Sequence, residues 1–209
     1  MYYVKDYSAI VIAAGLSSRM EAFKPLLDVC GKPVLFRLLD TIQASGIQRV
    51  IVVTGYRHTL VEAQLRNFNE HRVTTIYNAD YEIGMFSSVQ AGIREAARGW
   101  EAGDVLLFPV DVPLVDADTI AGLIRAYEQS GRSGFAVPVH NNNNGHPLLI
   151  PHKFFDEILN YTGEGGLKGV RSRHDGSLIR YHTDDAGCVL DIDTPEDYEA
   201  LLEFYKLYR

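Results

Sequence analysis

Five charged side chains stand where they could act on a polyphosphate: Arg19 and Lys24 near the start, Asp111 at mid-chain, Asp191 and Asp193 near the end. Arg19 and Lys24 follow Ala13-Ala14-Gly15, directly after the apolar run Ala9-Ile10-Val11-Ile12. A buried strand opening into a glycine-containing loop brings backbone amides close to a bound group, and two cations there can neutralise a polyphosphate. Asp111 lies in Phe108-Pro109-Val110-Asp111-Val112-Pro113, after an apolar run and fixed between prolines. A carboxylate at the carboxyl end of a strand is placed to hold Mg²⁺, whose charge phosphoryl and nucleotidyl transfer require. Asp191 and Asp193 alternate about Ile192, so on a strand they share one face. Thr194-Pro195-Glu196-Asp197 reads as a helix start, which explains Glu196 and Asp197 but not the Asp191/Asp193 pair.

The commoner phosphate loops do not fit. The Gly31-Lys32 pair has Leu26 where G-x-x-x-x-G-K-S/T needs its first glycine and Pro33 where it needs a hydroxyl. No G-x-G-x-x-G follows the first strand. His140, His146 and His152 recur every six residues, a spacing that fits no strand or helix face and argues against a zinc site.

With 209 residues, 46% hydrophobic and 22% charged, the chain suits one α/β domain, residues 1–209, with an ample core. A net charge of −7 argues against nucleic acid as a partner. Cys30 and Cys188 form no C-x-x-C, so a reducing cytoplasm is expected. No signal-like opening is seen, and no apolar segment approaches the ~20 residues that span a bilayer, so no membrane association is expected.

To position these side chains, strand and helix periods must alternate. Strands are expected at Ser8–Ala13, Arg49–Thr54, Val73–Tyr77 and Asp104–Val110. Helices are expected over Val34–Ala44 with Gly46 at its end, His58–Phe68, Met85–Ala97 after a serine-rich turn, and Asp118–Gln129. Apolar strands with helices between them predict a mostly parallel sheet covered on both faces, with ligands at the strands' carboxyl ends. Gly134–Val139 and Pro147–Ile150 are expected to form a small late β-hairpin around the Asn141–Gly145 turn.

Ile12-Ala13-Ala14-Gly15, Arg19-Met20 and Lys24 resemble the nucleotidyltransferase opening L-A-A-G-x-x-x-R-M-G-x-x-K. The resemblance is strongest to the molybdenum-cofactor branch, the cytidylyl- and guanylyltransferases acting on molybdopterin. Four later segments match that family in order: Asn78 to Ser88, Asp111-Val112-Pro113, Gly145-His146-Pro147, and Asp191 to Asp197. Glu21 departs from the pattern, standing where the family has glycine.

The resemblance implies a Rossmann-like fold and transfer of CMP or GMP from a nucleoside triphosphate to a molybdopterin-type acceptor. Ala13, Ala14, Gly15, Arg19, Lys24, Gly84 and Ser88 would then bind nucleotide, with Arg19, Lys24 and Asp111 catalytic. Asp111 and Asp191 would hold Mg²⁺, with Asp193 in reserve, and His146 would face the acceptor. Ala14 stands where the guanylyl branch has glycine, which favours CTP over GTP. The glycine-rich segment Thr162–Gly169 would close over the acceptor. A transient contact with a molybdoenzyme or its chaperone would also follow. Two other readings stay open: a sugar or other small phosphate as acceptor, and an inactive nucleotide-sensing module.

Overall fold

The computed structural model describes residues 4–16, 20, 22–66, 68, 73–98 and 103–208. Strand β1 (Val4–Ala13) lies at the heart of the sheet because both its faces are apolar. Ala9, Val11 and Ala13 enter one buried cluster and Ile10 and Ile12 the other, as alternating strand residues must. The short strands β2 (Asp28–Val29) and β3 (Lys32–Pro33) form a separate ribbon leading into helix α1 (Val34–Ala44). α1 buries Val34, Leu35, Leu38, Leu39 and Ile42, which recur at helical spacing. It stops just before Gly46, whose φ of 93° suits glycine.

β4 (Ile47–Thr54) pairs in parallel with β1, with Ile10 opposite Ile51. Then come α2 (His58–Leu65), β5 (Val73–Tyr77), α3 (Met85–Ala96), β6 (Asp104–Pro109) and α4 (Ala117–Gln129). α2 stops at Leu65, short of the expected Phe68. α3 lies so close to β1 that a Cβ on Gly92 would sit 2.6 Å from the Ile10 side chain.

The chain continues through β7 (Ala136–His140), β8 (Asn143–Asn144), β9 (Leu148–Ile150), α5 (Phe155–Asn160), α6 (Gly166–Ser172), β10 (Ile179–His182) and α7 (Pro195–Tyr208). Among the described residues the sheet order is β10-β7-β9-β6-β1-β4-β5, with β8 paired to β7. β9 runs antiparallel to β6 and β7, and the other pairs along this order are parallel. Residues of α1, α2, α4 and α7 join the first buried cluster, and those of α3, α5 and α6 the second. This is the expected α/β sheet with helices on both faces.

One local expectation is extended and one is corrected. The asparagine turn carries the short β7–β8 pairing, with Asn141 and Asn142 at φ 46° and 65°, and β9 pairs antiparallel with β7 as expected, Ala136 opposite Leu149, while its other edge pairs with β6. Leu148, Leu149 and Ile150 are all buried, so the late pairing is built into the main sheet. Asp191 and Asp193 do not lie on a strand: residues 190–192 are irregular, and Ile192 is pinned by its N–H donating to Asp111 O at 2.9 Å. Ile192 is fully buried, so its packing, rather than ladder pairing, turns both neighbouring aspartates outward. No helix among the described residues is long and apolar enough to cross a membrane.

Candidate active site at the carboxyl ends of the central strands

The carboxyl ends of β1 and β6 lie side by side because the strands are parallel, with Ile12 opposite Pro109. This register brings the loop after Ala13 beside Asp111. Two cavities open there, of about 830 Å³ and about 150 Å³, with Ile12, Met85, Pro109 and Asp111 in their common wall. The smaller one is lined by Ala14, Gly15, Lys24 and Ser88. The larger one is lined by Gly84, His146, Asp191 and Asp193. Ala13 is fully buried in the core, so any ligand contact from it would be made by its backbone. Arg19 and Glu21 lie outside the described residues.

Lys24 opens a short 3₁₀ turn, Lys24–Leu26, whose first residues include Pro25. Its ammonium donates to Asp193 Oδ1 at 2.7 Å and lies 3.5 Å from Asp111 Oδ2. Burial pushes the Asp111 carboxyl above its ordinary range; the nearby Asp193 and Asp191 charges add to this, while Lys24 opposes it. The three aspartates supply hard oxygen donors that suit Mg²⁺ or Mn²⁺. Among the described residues no three His, Cys, Asp or Glu side chains converge into a preformed metal cage. That is compatible with Mg²⁺, which commonly binds one or two carboxylates and completes its shell with substrate phosphates and water.

Ser87 and Ser88 lie within the first turn of α3 rather than in a turn preceding it. The residue at the helix cap is Gly84, at φ 137°. Both serines are held from the side by Asn78, whose amide donates to Ser87 Oγ and Ser88 Oγ at 2.9 Å each. Asn78 is itself fixed, its N–H donating to Thr54 O and its Oδ1 accepting from the Asp80 N–H. Sequence reasoning matched Asn78 to a motif without seeing this role; a buried asparagine between a strand and a helix was the available signal.

His146 has its N–H donating to Cys188 O at 2.8 Å, which ties the β8–β9 turn to the segment before Asp191. Burial, helped by the Arg171 charge, lowers its pKa to about 4, so the ring is neutral at physiological pH. Cys188 is buried and its thiol is pushed up to about 12, chiefly by burial, which makes it an unreactive packing residue. The α7 start is as expected: Thr194 Oγ1 accepts from the Asp197 N–H, and Asp197 Oδ2 accepts from the Thr194 and Asp193 N–H groups. These bonds from Thr194, chiefly, hold the Asp197 carboxyl low and make it structural. Lys168, inside the Thr162–Gly169 segment expected at the acceptor, and Arg171, just beyond it, also line the larger cavity; neither was given a role of its own from the sequence. Their spacing of three residues in a short amphipathic stretch was the signal available.

A mostly parallel α/β sheet with a lysine and aspartates gathered at the carboxyl ends of its central strands has the arrangement in which such folds place their ligands. Residues 9–178 match the MobA-like NTP transferase domain, and the chain belongs to that family. It is 29% identical over 199 residues to the molybdenum cofactor cytidylyltransferase of Escherichia coli (strain K12), covering 94% of this chain and 95% of that protein. A nucleotidyl transferase from Methanothermobacter shares the fold with a TM-score of 0.79 and 23% identity, covering 97% of this chain and 99% of that one. Rv0371c of Mycobacterium tuberculosis H37Rv, solved in complex with manganese, is similar with a TM-score of 0.72 and 25% identity, covering 95% of this chain and 98% of that one.

Proposed function

We propose that the chain transfers a cytidylyl group from CTP to a terminal phosphate of a molybdopterin-type acceptor and releases pyrophosphate. The observation that carries this reading is the contact of Lys24 with Asp111 and Asp193 at the wall shared by two cavities. The smaller cavity suits part of a nucleotide, with Lys24 toward the phosphates and Ala14 toward the base. The larger, at about 830 Å³, has room for a bulky acceptor and for the part of the nucleotide that the smaller cannot hold.

An oxygen of the acceptor phosphate attacks the α-phosphorus, and the bond from that phosphorus to the bridging oxygen breaks. The electron pair leaves with pyrophosphate. The nucleophile is already ionised near neutral pH, so no general base is required. Lys24 would leave its carboxylate partners and follow the charge that builds on the α-phosphate, which is why its value lies in the transition state. Arg19 would bind the leaving pyrophosphate. Ser88, held by Asn78, would line the nucleotide side, and neutral His146 would border the acceptor. Asp111 and Asp191, with Asp193 beside them, would hold Mg²⁺, which when bound neutralises and aligns the phosphates.

Ala14, 2% exposed in the smaller cavity, supports CTP over GTP, because its methyl group narrows the space beside a base. The similarity to a cytidylyltransferase along nearly the whole chain supports the same choice. We assign the reaction to the cytoplasm, a reading supported by the free thiols of Cys30 and Cys188.

Pyrophosphate release from the purified protein with Mg²⁺, molybdopterin and either CTP or GTP tests the reading. Release that depends on molybdopterin and is faster with CTP is expected. Release with a sugar phosphate but not with molybdopterin would overturn the acceptor assignment, and no release with any acceptor would favour a nucleotide-sensing role.

A further inference from the structure

Helix α6 presents Lys168 and Arg171 to the larger cavity and to none of the walls of the smaller one. The helix is seated by its first residue: a Cβ on Gly166 would come 3.0 Å from the Phe86 side chain, and the φ of 52° there also favours glycine, which lets α6 pack closely on α3. Phe86 also meets Tyr161 edge to face at 6.1 Å, which braces the loop that precedes α6. Val170, fully buried, anchors the opposite face of the helix in the core. α6 is therefore a fixed platform and not a surface strand of chain.

The cations on this platform are not neutralised. Arg171 Nε is sealed from solvent with no hydrogen-bond partner, and neither Arg171 nor Lys168 makes an ion pair with a described carboxylate. This holds although Asp111, Asp191 and Asp193 line the same cavity. A titratable neighbour is unpartnered as well: His146 Nδ1 is likewise sealed and without a partner, and the Arg171 charge is felt at its ring. A half-buried guanidinium beside a neutral imidazole, with no counter-charge, is a costly arrangement for a folded protein. It becomes favourable when an anion with several acceptor oxygens arrives, because guanidinium binds such groups through two parallel N–H bonds.

We propose that Lys168 and Arg171, closed on one side by His146, form an anion subsite on the α6 wall of the larger cavity that grips the terminal phosphate of the acceptor. The proposal rests on reading that cavity as the acceptor's. The subsite divides the cations into two sets. Lys24 and its loop serve the nucleotide, while the α6 pair selects acceptors that carry a phosphate and holds that group in the cavity.

Arg171→Gln, Arg171→Lys and Lys168→Gln test it, with circular dichroism as the check on folding. Arg171→Gln and Lys168→Gln are expected to raise the KM for molybdopterin tenfold or more and to leave the dissociation constant of CTP unchanged, with Arg171→Lys in between. Arg171→Gln is also expected to leave Tm unchanged or higher without acceptor, since it removes an unpaired charge. A lowered Tm with an unchanged acceptor KM would make Arg171 merely structural and overturn the proposal, as would a loss confined to CTP binding. A second measurement is independent of the acceptor's identity: ³¹P line broadening of inorganic phosphate by protein saturated with CTP. Broadening by the unmutated protein that disappears in Arg171→Gln and Lys168→Gln supports the subsite even if molybdopterin proves not to be the acceptor. Equal broadening by all the proteins overturns it even if molybdopterin is turned over.

Discussion

Lys24 Nζ lies 2.7 Å from Asp193 Oδ1, although the two residues are 169 positions apart in the chain. The contact joins the loop after the first strand to the segment before the last helix. Asp111 stands 3.5 Å from the same ammonium, so Lys24 lies between two carboxylates. A nucleotide entering with its own cation would displace this arrangement, freeing Lys24 for phosphate and the aspartates for metal. Lys24→Ala is therefore expected to lower kcat about 10²-fold or more, with a smaller rise in the KM for CTP. Steady-state kinetics at saturating Mg²⁺ checks this, and a change confined to KM would reduce Lys24 to ground-state binding.

Asp111→Asn should separate activity from stability. The carboxyl is held above its ordinary range, so its charged form is disfavoured in the folded protein. Replacing it with an amide removes that burden, and Lys24 retains Asp193 as its partner. Thermal unfolding near neutral pH without metal is expected to show a Tm equal to or above that of the unmutated chain, while turnover falls to near background. A lower Tm would mean that the Asp111–Lys24 attraction outweighs burial.

Ala14→Gly is expected to relax base selection toward GTP without abolishing it. One methyl group in a pocket is worth about 1–3 kcal/mol of discrimination, so the ratio of kcat/KM values for CTP and GTP should shift by roughly 10- to 100-fold. Competition between both nucleotides in one reaction measures the ratio directly. An unchanged ratio would remove Ala14 from the base pocket.

Asn78→Ala removes the donor that holds Ser87 and Ser88 and the acceptor that holds the Asp80 N–H. Because Asn78 and Ser88 are buried, the groups left without partners should cost about 1–3 kcal/mol of stability. The nucleotide KM should rise with it, since Ser88 lines the smaller cavity. Denaturant unfolding together with nucleotide titration tests both effects; stability loss with an unaltered nucleotide KM would confine Asn78 to a structural role.

His146 should leave a mark on acid stability. Its folded-state pKa of about 4 lies below the ordinary 6.5, so between these values the unfolded chain binds a proton that the folded one refuses. Stability is then lost as pH falls through this window, by up to about 3 kcal/mol at its lower end. His146→Gln removes this contribution, so its unfolding free energy should decline less steeply from pH 7 to pH 4 than that of the unmutated chain. Parallel slopes would show that the ring is less confined than its sealed Nδ1 indicates.

Much of this was legible from order and pattern. The apolar runs at Ser8–Ala13, Arg49–Thr54 and Asp104–Val110 declared central parallel strands because residues on both of their faces are hydrophobic, a property carried by the residues themselves. The same local logic identified the Thr194–Asp197 helix start, whose reciprocal hydrogen bonds involve only near neighbours. The expectation of phosphate chemistry from the loop cations and the aspartates rested on residue type alone.

What sequence could not settle depended on burial and on contacts distant in the chain. Asp191 and Asp193 have the alternation of a strand, yet the packing of Ile192 and its single hydrogen bond to Asp111 O decided their placement. β9 keeps its expected antiparallel pairing with β7, but that its other edge would join β6 depended on a buried slot open to its apolar residues. Lys24 was legible as a cation but not as the partner of Asp193. The uncompensated charge of Arg171 became visible only once the folded chain showed which carboxylates it does not reach. Residue types set the chemistry available to this protein; long-range packing decided which charges meet and which are left for a ligand.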